Sequence, residues 1–220
     1  LAEEFKKTEG VDLRNDKNMM IFRIQSELVR YMREYLYNNK FIEIHTPKLI
    51  GTASESGSEV FEVKYFDRSA YLAQSPQFYK QMAMSCGFER FFEVAPCFRA
   101  ENSNTSRHAT EFTSFDVEFA YIDDFNDVMN LEAEMLKYAL EKTNELYGEK
   151  VKELFDTEIV VPKVPFPKMK LADIYKELEE RYDFKVDDSE KNDLTTEAER
   201  LTYKLAKEKF DSEFLFVTDF

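Results

Sequence analysis

Alternation of apolar and polar positions is densest in two neighbouring segments of the chain. In residues 90–101 (RFFEVAPCFRAE), Phe92, Val94 and Phe98 share one parity, and Glu93, Ala95, Cys97, Arg99 and Glu101 share the other. In residues 111–121 (EFTSFDVEFAY), Thr113, Phe115, Val117, Phe119 and Tyr121 form the apolar set, opposite Phe112, Ser114, Asp116 and Glu118. A period of two sends alternate side chains to opposite faces of a strand. Pairing the two strands puts Arg99, Glu101 and Phe112 on one polar face. Alone, this pattern describes a surface hairpin with a solvated outer face. The intervening loop adds chemistry, because Arg107 and His108 sit among Asn102, Ser103, Asn104, Thr105 and Ser106 with no glycine or proline. Such a hairpin can hold a triphosphate and an adenine together.

Helical periodicity accounts for much of the remainder. Residues 17–38 carry Ile21, Ile24, Leu28, Met32 and Tyr35 as a stripe behind an Asn15-Asp16 cap signal. Ser75 caps and Pro76 suits the first position of a helix to Ser85, with Gly87 as its stop. Gln77 and Lys80 are three residues apart and share a face of its first turn. A helix is expected from Asp124 to Gly148, with Val128, Leu131, Met135 and Ala139 inward. Two shorter ones follow at 171–182 and 197–209, the second opened by a Thr196…Glu199 capping box. Segments 60–65 and 70–73 flank Asp67-Arg68 as a hairpin, 159–168 is extended and broken by Pro162, Pro165 and Pro167, and 214–218 returns as a strand. Helices packed on an antiparallel sheet make the fold α+β.

Composition narrows the setting. A chain of 220 residues, 43% hydrophobic and 15% aromatic, can bury a substantial core as one globular domain. Two cysteines without metal spacing, Cys86 and Cys97, fit a reduced cytoplasmic location. No apolar run is long enough for a membrane span and no signal peptide is visible, so no membrane partner is expected. The net charge of -14 opposes non-specific binding of nucleic acid, though a local basic path remains compatible with it.

The segment FRAENSNTSRH…EFTSFDVE resembles motif 2 of the class II aminoacyl-tRNA synthetases, in the subgroup that activates aspartate and asparagine. FIEIHTPKL (41–49) resembles motif 1, whose proline, here Pro47, lies at that family's homodimer interface. TASESGSEVF (52–61) resembles the mobile loop that closes over the amino acid, and YLAQSPQFYKQ (71–81) the aspartate-binding segment. Weaker similarity continues to FLFVTDF at the end of the chain, so nearly all of it is covered. The implied fold is an antiparallel sheet flanked by helices.

The implied activity is ATP-dependent activation of L-aspartate to aspartyl-adenylate and its transfer to tRNA(Asp). Arg99 takes the catalytic role, stabilising charge at the α-phosphate and touching the substrate carboxylate. For ATP, Glu101 accepts from the adenine amino group, Arg107 and His108 reach the outer phosphates, and Phe112 stacks on the base. For aspartate, Glu55 and Gln77 meet the ammonium end and Lys80 faces the side-chain carboxylate. Asparagine enzymes of the subgroup lack that lysine, and a neutral amide leaves a buried ammonium unpaired, so aspartate is favoured. The usual two glycines after the loop glutamate are replaced by Ser56-Gly57, which restricts the backbone there.

By the same resemblance the chain is a partial catalytic domain, residues 1–220. The anticodon-binding domain, motif 3 and the acidic ligands for Mg2+ are expected in further parts of a longer synthetase, and this piece alone is expected to be inactive. Two other functions fit the same residues: a tRNA-independent paralogue making asparagine through the same adenylate, and a non-enzymatic truncated paralogue acting as an interaction protein.

Overall fold

The computed structural model describes residues 14–52, 60–100, 109–187 and 191–220. Five helices and eight strands are found among them, in two compact units. The first unit, Leu36–Asp123, is continuous in sequence. The second combines the described residues up to Tyr35 with Asp124–Phe220.

In the continuous unit, β1 (Ile42–Glu43) lies parallel to β5 (Arg90–Phe98), and β5 is antiparallel to β6 (Glu111–Phe119). A second sheet runs in the order β2 (Leu49–Ile50), β4 (Arg68–Leu72), β3 (Glu62–Tyr65), all antiparallel. Backbone bonds from Ala73 N to the Lys48 carbonyl (2.9 Å) and from Phe98 N to the Ala73 carbonyl (3.0 Å) knit strand ends together. The expected parity of β5 and β6 holds, with Phe92 opposite Val117 and Cys97 opposite Phe112. Phe92 stacks on Phe115 at 5.9 Å on the apolar face. Phe91, on the polar parity, is buried too, so the start of β5 is covered on both faces, as an inner strand must be. Tyr121, expected to extend the apolar face, instead leaves β6 with φ +60° and is 88% exposed. The β3–β4 turn is Phe66-Asp67, not Asp67-Arg68, because Arg68 pairs with Tyr65 and Phe66 takes the positive φ.

In the discontinuous unit, α1 (Asp16–Asn38, its last three residues counted with the other unit) runs antiparallel to α3 (Phe125–Phe155). Lys17 lies over the Phe155 ring at 5.9 Å, while Tyr31 and Tyr35 meet Tyr138 at 6.4 and 5.8 Å. Asn15 Oδ1 accepts from Lys17 N at 2.9 Å, which confirms the cap. Ile21 and Val128, expected inward, are 52% and 43% exposed; Met20 on α1 and Ala133 on α3 are buried in this unit.

Gly148 does not end α3. The helix continues to Phe155, burying Val151, and closes with Asp156 in the left-handed region. An interior glycine costs about 1 kcal/mol, less than burying the next apolar turn returns. A β7–α4–α5–β8 crossover completes the unit: β7 (Lys168–Lys170) and β8 (Phe216–Thr218) are parallel, linked through α4 (Leu171–Tyr182) and α5 (Thr196–Phe210). Its core is Met169, Ile174, Leu178, Ala198 and Leu205. β8 begins two residues later than expected because Phe214 packs on Phe166 at 4.9 Å. The cap of α5 is Thr195, whose hydroxyl accepts from Ala198 N at 3.2 Å, so the Thr196…Glu199 box does not form. No helix among the described residues is long and apolar enough to cross a membrane.

Candidate active site

The site is built on the polar face of β5 and β6, with α2 (Gln77–Ser85) facing it. Ser75 Oγ accepts from Gln77 N at 3.3 Å, but the Pro76 carbonyl accepts the first helical bond, from Lys80 N at 2.9 Å. Pro76 rather than Ser75 is therefore the cap, and the helix opens at Gln77. Gly87, at φ +100°, closes the turn after its end. This orientation carries Lys80 across to β6. Its Nζ lies 3.1 Å from Asp116 Oδ1 and 2.9 Å from Glu118 Oε1, with only 11% of the side chain exposed. Burial alone lowers the affinity of this amine for its proton. The bonds to Glu118 and Asp116 outweigh that effect, and its pKa is raised above the ordinary lysine value. Lys80 is therefore a fixed positive charge.

Asp116 is fixed in turn, since Ser114 Oγ donates to its Oδ2 at 2.5 Å. Directly opposite Asp116 on β5 stands Glu93. Two carboxylates facing each other across a ladder repel, and each is answered by its own lysine. Glu93 is 2% exposed and ion-pairs with Lys48 at 3.0 Å. It also accepts from Thr46 N at 2.7 Å and Thr46 Oγ1 at 2.8 Å. The Thr46-Pro47-Lys48 segment is thereby clamped onto β5, leaving Pro47 exposed. Cys97 lies buried between these groups, and burial pushes its thiol pKa up.

Arg99 follows the end of β5, its backbone N donating to the Thr110 carbonyl at 3.0 Å. Its guanidinium carbon sits 5.3 Å from the centre of the Phe112 ring. Its Nε is buried and has no hydrogen-bond partner among the described residues. A buried donor left unpaired is costly, and an anion at this position satisfies it. From Phe112 to Asp116 is four residues, roughly 13 Å along a strand.

Of the expected site residues, Lys80, Arg99 and Phe112 meet on this face or against it, and Gln77 opens the facing helix. Glu55, Glu101, Arg107 and His108 lie outside the described residues. Sequence reasoning assigned no role to Asp116, Glu118 or Glu93. Their parity with Arg99 and Phe112 was the available signal, together with the need of a half-buried lysine for counter-charge. Among the described residues no group of three or more His, Cys, Asp or Glu side chains could hold a metal ion.

Residues 3–220 match the family described as tRNA synthetases class II (D, K and N), and the chain belongs to that family. Among curated relatives, the aspartate–tRNA(Asp/Asn) ligase of Aeropyrum pernix is 43% identical over 96% of this chain and 47% of its own length. The aspartate–tRNA(Asp) ligase of Pyrococcus horikoshii is 43% identical over 94% of this chain and 46% of its own. Among solved structures, the aspartyl-tRNA synthetase of Entamoeba histolytica superposes with a TM-score of 0.79 at 32% identity, covering 95% of this chain and 39% of that one. The asparaginyl-tRNA synthetase of Pyrococcus horikoshii in complex with asparaginyl-adenylate gives 0.78 at 31% identity, over 93% and 45%. The chain thus spans about half the length of the curated relatives it matches.

Proposed function

We propose that the protein carrying this chain is an aspartate–tRNA ligase. It activates L-aspartate with ATP and transfers the aspartyl group to tRNA(Asp). The α-carboxylate of aspartate attacks the α-phosphorus of ATP, an aspartyl-adenylate forms and pyrophosphate leaves. A ribose hydroxyl at the end of the tRNA then takes the aspartyl group and AMP is released. The observation that carries this reading is Lys80, a charged and nearly buried amine set against the strand face that carries the Arg99–Phe112 pair. The roughly 13 Å between the two ends suits an amino acid at one and a nucleotide at the other. Arg99, its Nε unpaired among the described residues, is suited to bind the α-phosphate and the attacking carboxylate, and Phe112 to stack on adenine. Glu101, Arg107 and His108 complete the ATP contacts in this proposal, and Glu55 and Gln77 the aspartate contacts.

Curated relatives named as aspartate–tRNA ligases support the choice of amino acid. The exposed Pro47, near the exposed Ile42 and Leu49, supports a homodimer formed through that segment. A cytoplasmic setting agrees with translation as the process served. The test is aspartate-dependent ATP–pyrophosphate exchange by the full-length protein and its Lys80→Ala variant. The expected result is exchange by the wild type, with kcat/KM for aspartate lowered about 100-fold in the variant and the KM for ATP within about twofold. Equal losses for both substrates remove Lys80 from the side-chain role.

A further inference from the structure

Lys80 is held between two carboxylates of unequal standing. Asp116 is 19% exposed and locked by the Ser114 hydroxyl at 2.5 Å. Glu118 is 33% exposed, and Lys80, at 2.9 Å, is its one polar partner among the described residues. One ammonium and two carboxylates leave the trio with a charge of -1. A third carboxylate brought to the same nitrogen meets a cation whose charge is already answered twice over. It also adds repulsion against both acids, in a place too buried for water to screen it well. The ammonium has only three donors, two of them engaged. An incoming carboxylate settles there at low cost only if one counter-ion withdraws. Asp116 cannot withdraw without breaking its bond to Ser114, whereas Glu118 has no second hold and opens toward solvent.

We infer that Glu118 is a displaceable counter-ion. It occupies Lys80 while the amino-acid site is empty and yields that place to the side-chain carboxylate of aspartate. Glu118 is a positioning residue in this scheme: it acts through Lys80 and raises the aspartate concentration needed for binding. Asp116 has the opposite duty and keeps Lys80 aimed whether or not substrate is present. The inference rests on the aspartate reading above and adds to it a residue that works against affinity.

The test measures aspartate affinity by calorimetry, and KM for aspartate and for ATP in pyrophosphate exchange. It uses the full-length protein as wild type, Glu118→Gln and Asp116→Asn. Removing the competing charge in Glu118→Gln is expected to tighten aspartate binding about five- to tenfold with the KM for ATP unchanged. Asp116→Asn is expected to weaken it at least about tenfold. A merely structural role for both acids moves the two variants in the same direction, and that result overturns the inference, as does unchanged or weaker binding in Glu118→Gln. Glu118→Asp keeps the charge but draws it back from Lys80. It is expected to tighten binding to a lesser degree and serves if the glutamine variant does not fold; weaker or unchanged binding there also overturns the inference. Failure of the wild type to bind aspartate overturns both this inference and the reading beneath it. Binding by the wild type without the opposed responses overturns the inference alone.

Discussion

At the scale of single residues, the site depends on buried charges whose partners come from distant parts of the chain. Glu93 receives three contacts from Thr46 and Lys48, 47 residues away at the threonine, and almost no water. Removing one side of such a cluster strands the other. Glu93→Ala is expected to cost about 3–5 kcal/mol in urea unfolding, far above a surface substitution. Lys80 makes a pH-dependent contribution. Its pKa in the folded state is raised above the ordinary 10.5, so its stabilisation is complete below that value and disappears as pH climbs through the raised one. The stability gap between wild type and Lys80→Met, from denaturant titrations, is therefore expected to stay constant from pH 7 to 9 and to narrow above about 10.5. Strand parity alone put Arg99 and Phe112 on one face of the hairpin, as the structure has them, because parity is a local property. Lys80's tie to Asp116 and Glu118 spans more than thirty residues, and no local rule couples a helix to the strand it will meet.

At the scale of elements, the long strands and helices were legible and their ends were not. β5 and β6 form with the expected faces because a one-residue slip would have reversed every side chain between them. Helix ends turn on single hydrogen bonds, for which adjacent residues compete. At the start of α5, Thr195 and Thr196 are both plausible caps by composition, and Thr195 takes the role with φ −66° and ψ 160°. Thr195→Ala is accordingly expected to lower stability by about 1 kcal/mol, and Thr196→Ala to change it by no more than a few tenths, as read from thermal unfolding. Gly148 shows the opposite error, where a residue read as a stop lies within a 31-residue helix. The apolar turn beyond it, not the glycine, decided the outcome.

At the scale of the whole molecule, charge sets the terms of any encounter with RNA. With a net charge of -14, the chain repels a polyanion everywhere except where lysines and arginines are gathered. The 220-residue chain is expected to pass unretained through a heparin column at low salt while binding tightly to an anion exchanger.

The discontinuous unit, finally, has a consequence in time. Residues 36–123 hold all the strands of their two sheets, so this stretch can fold as soon as it has left the ribosome. The helix before it cannot. Beyond its own helix, where Arg30 holds it, Glu34 bonds Tyr138, 104 residues downstream, and Tyr31 and Tyr35 await the same ring. Until α3 is synthesised, Met20, Leu28 and Met32 on α1 lack all the described residues of their unit that follow Asp123. During that interval the nascent chain is most open to chaperones and to misassociation, and a slower decoding of residues 124–155 would lengthen the exposure.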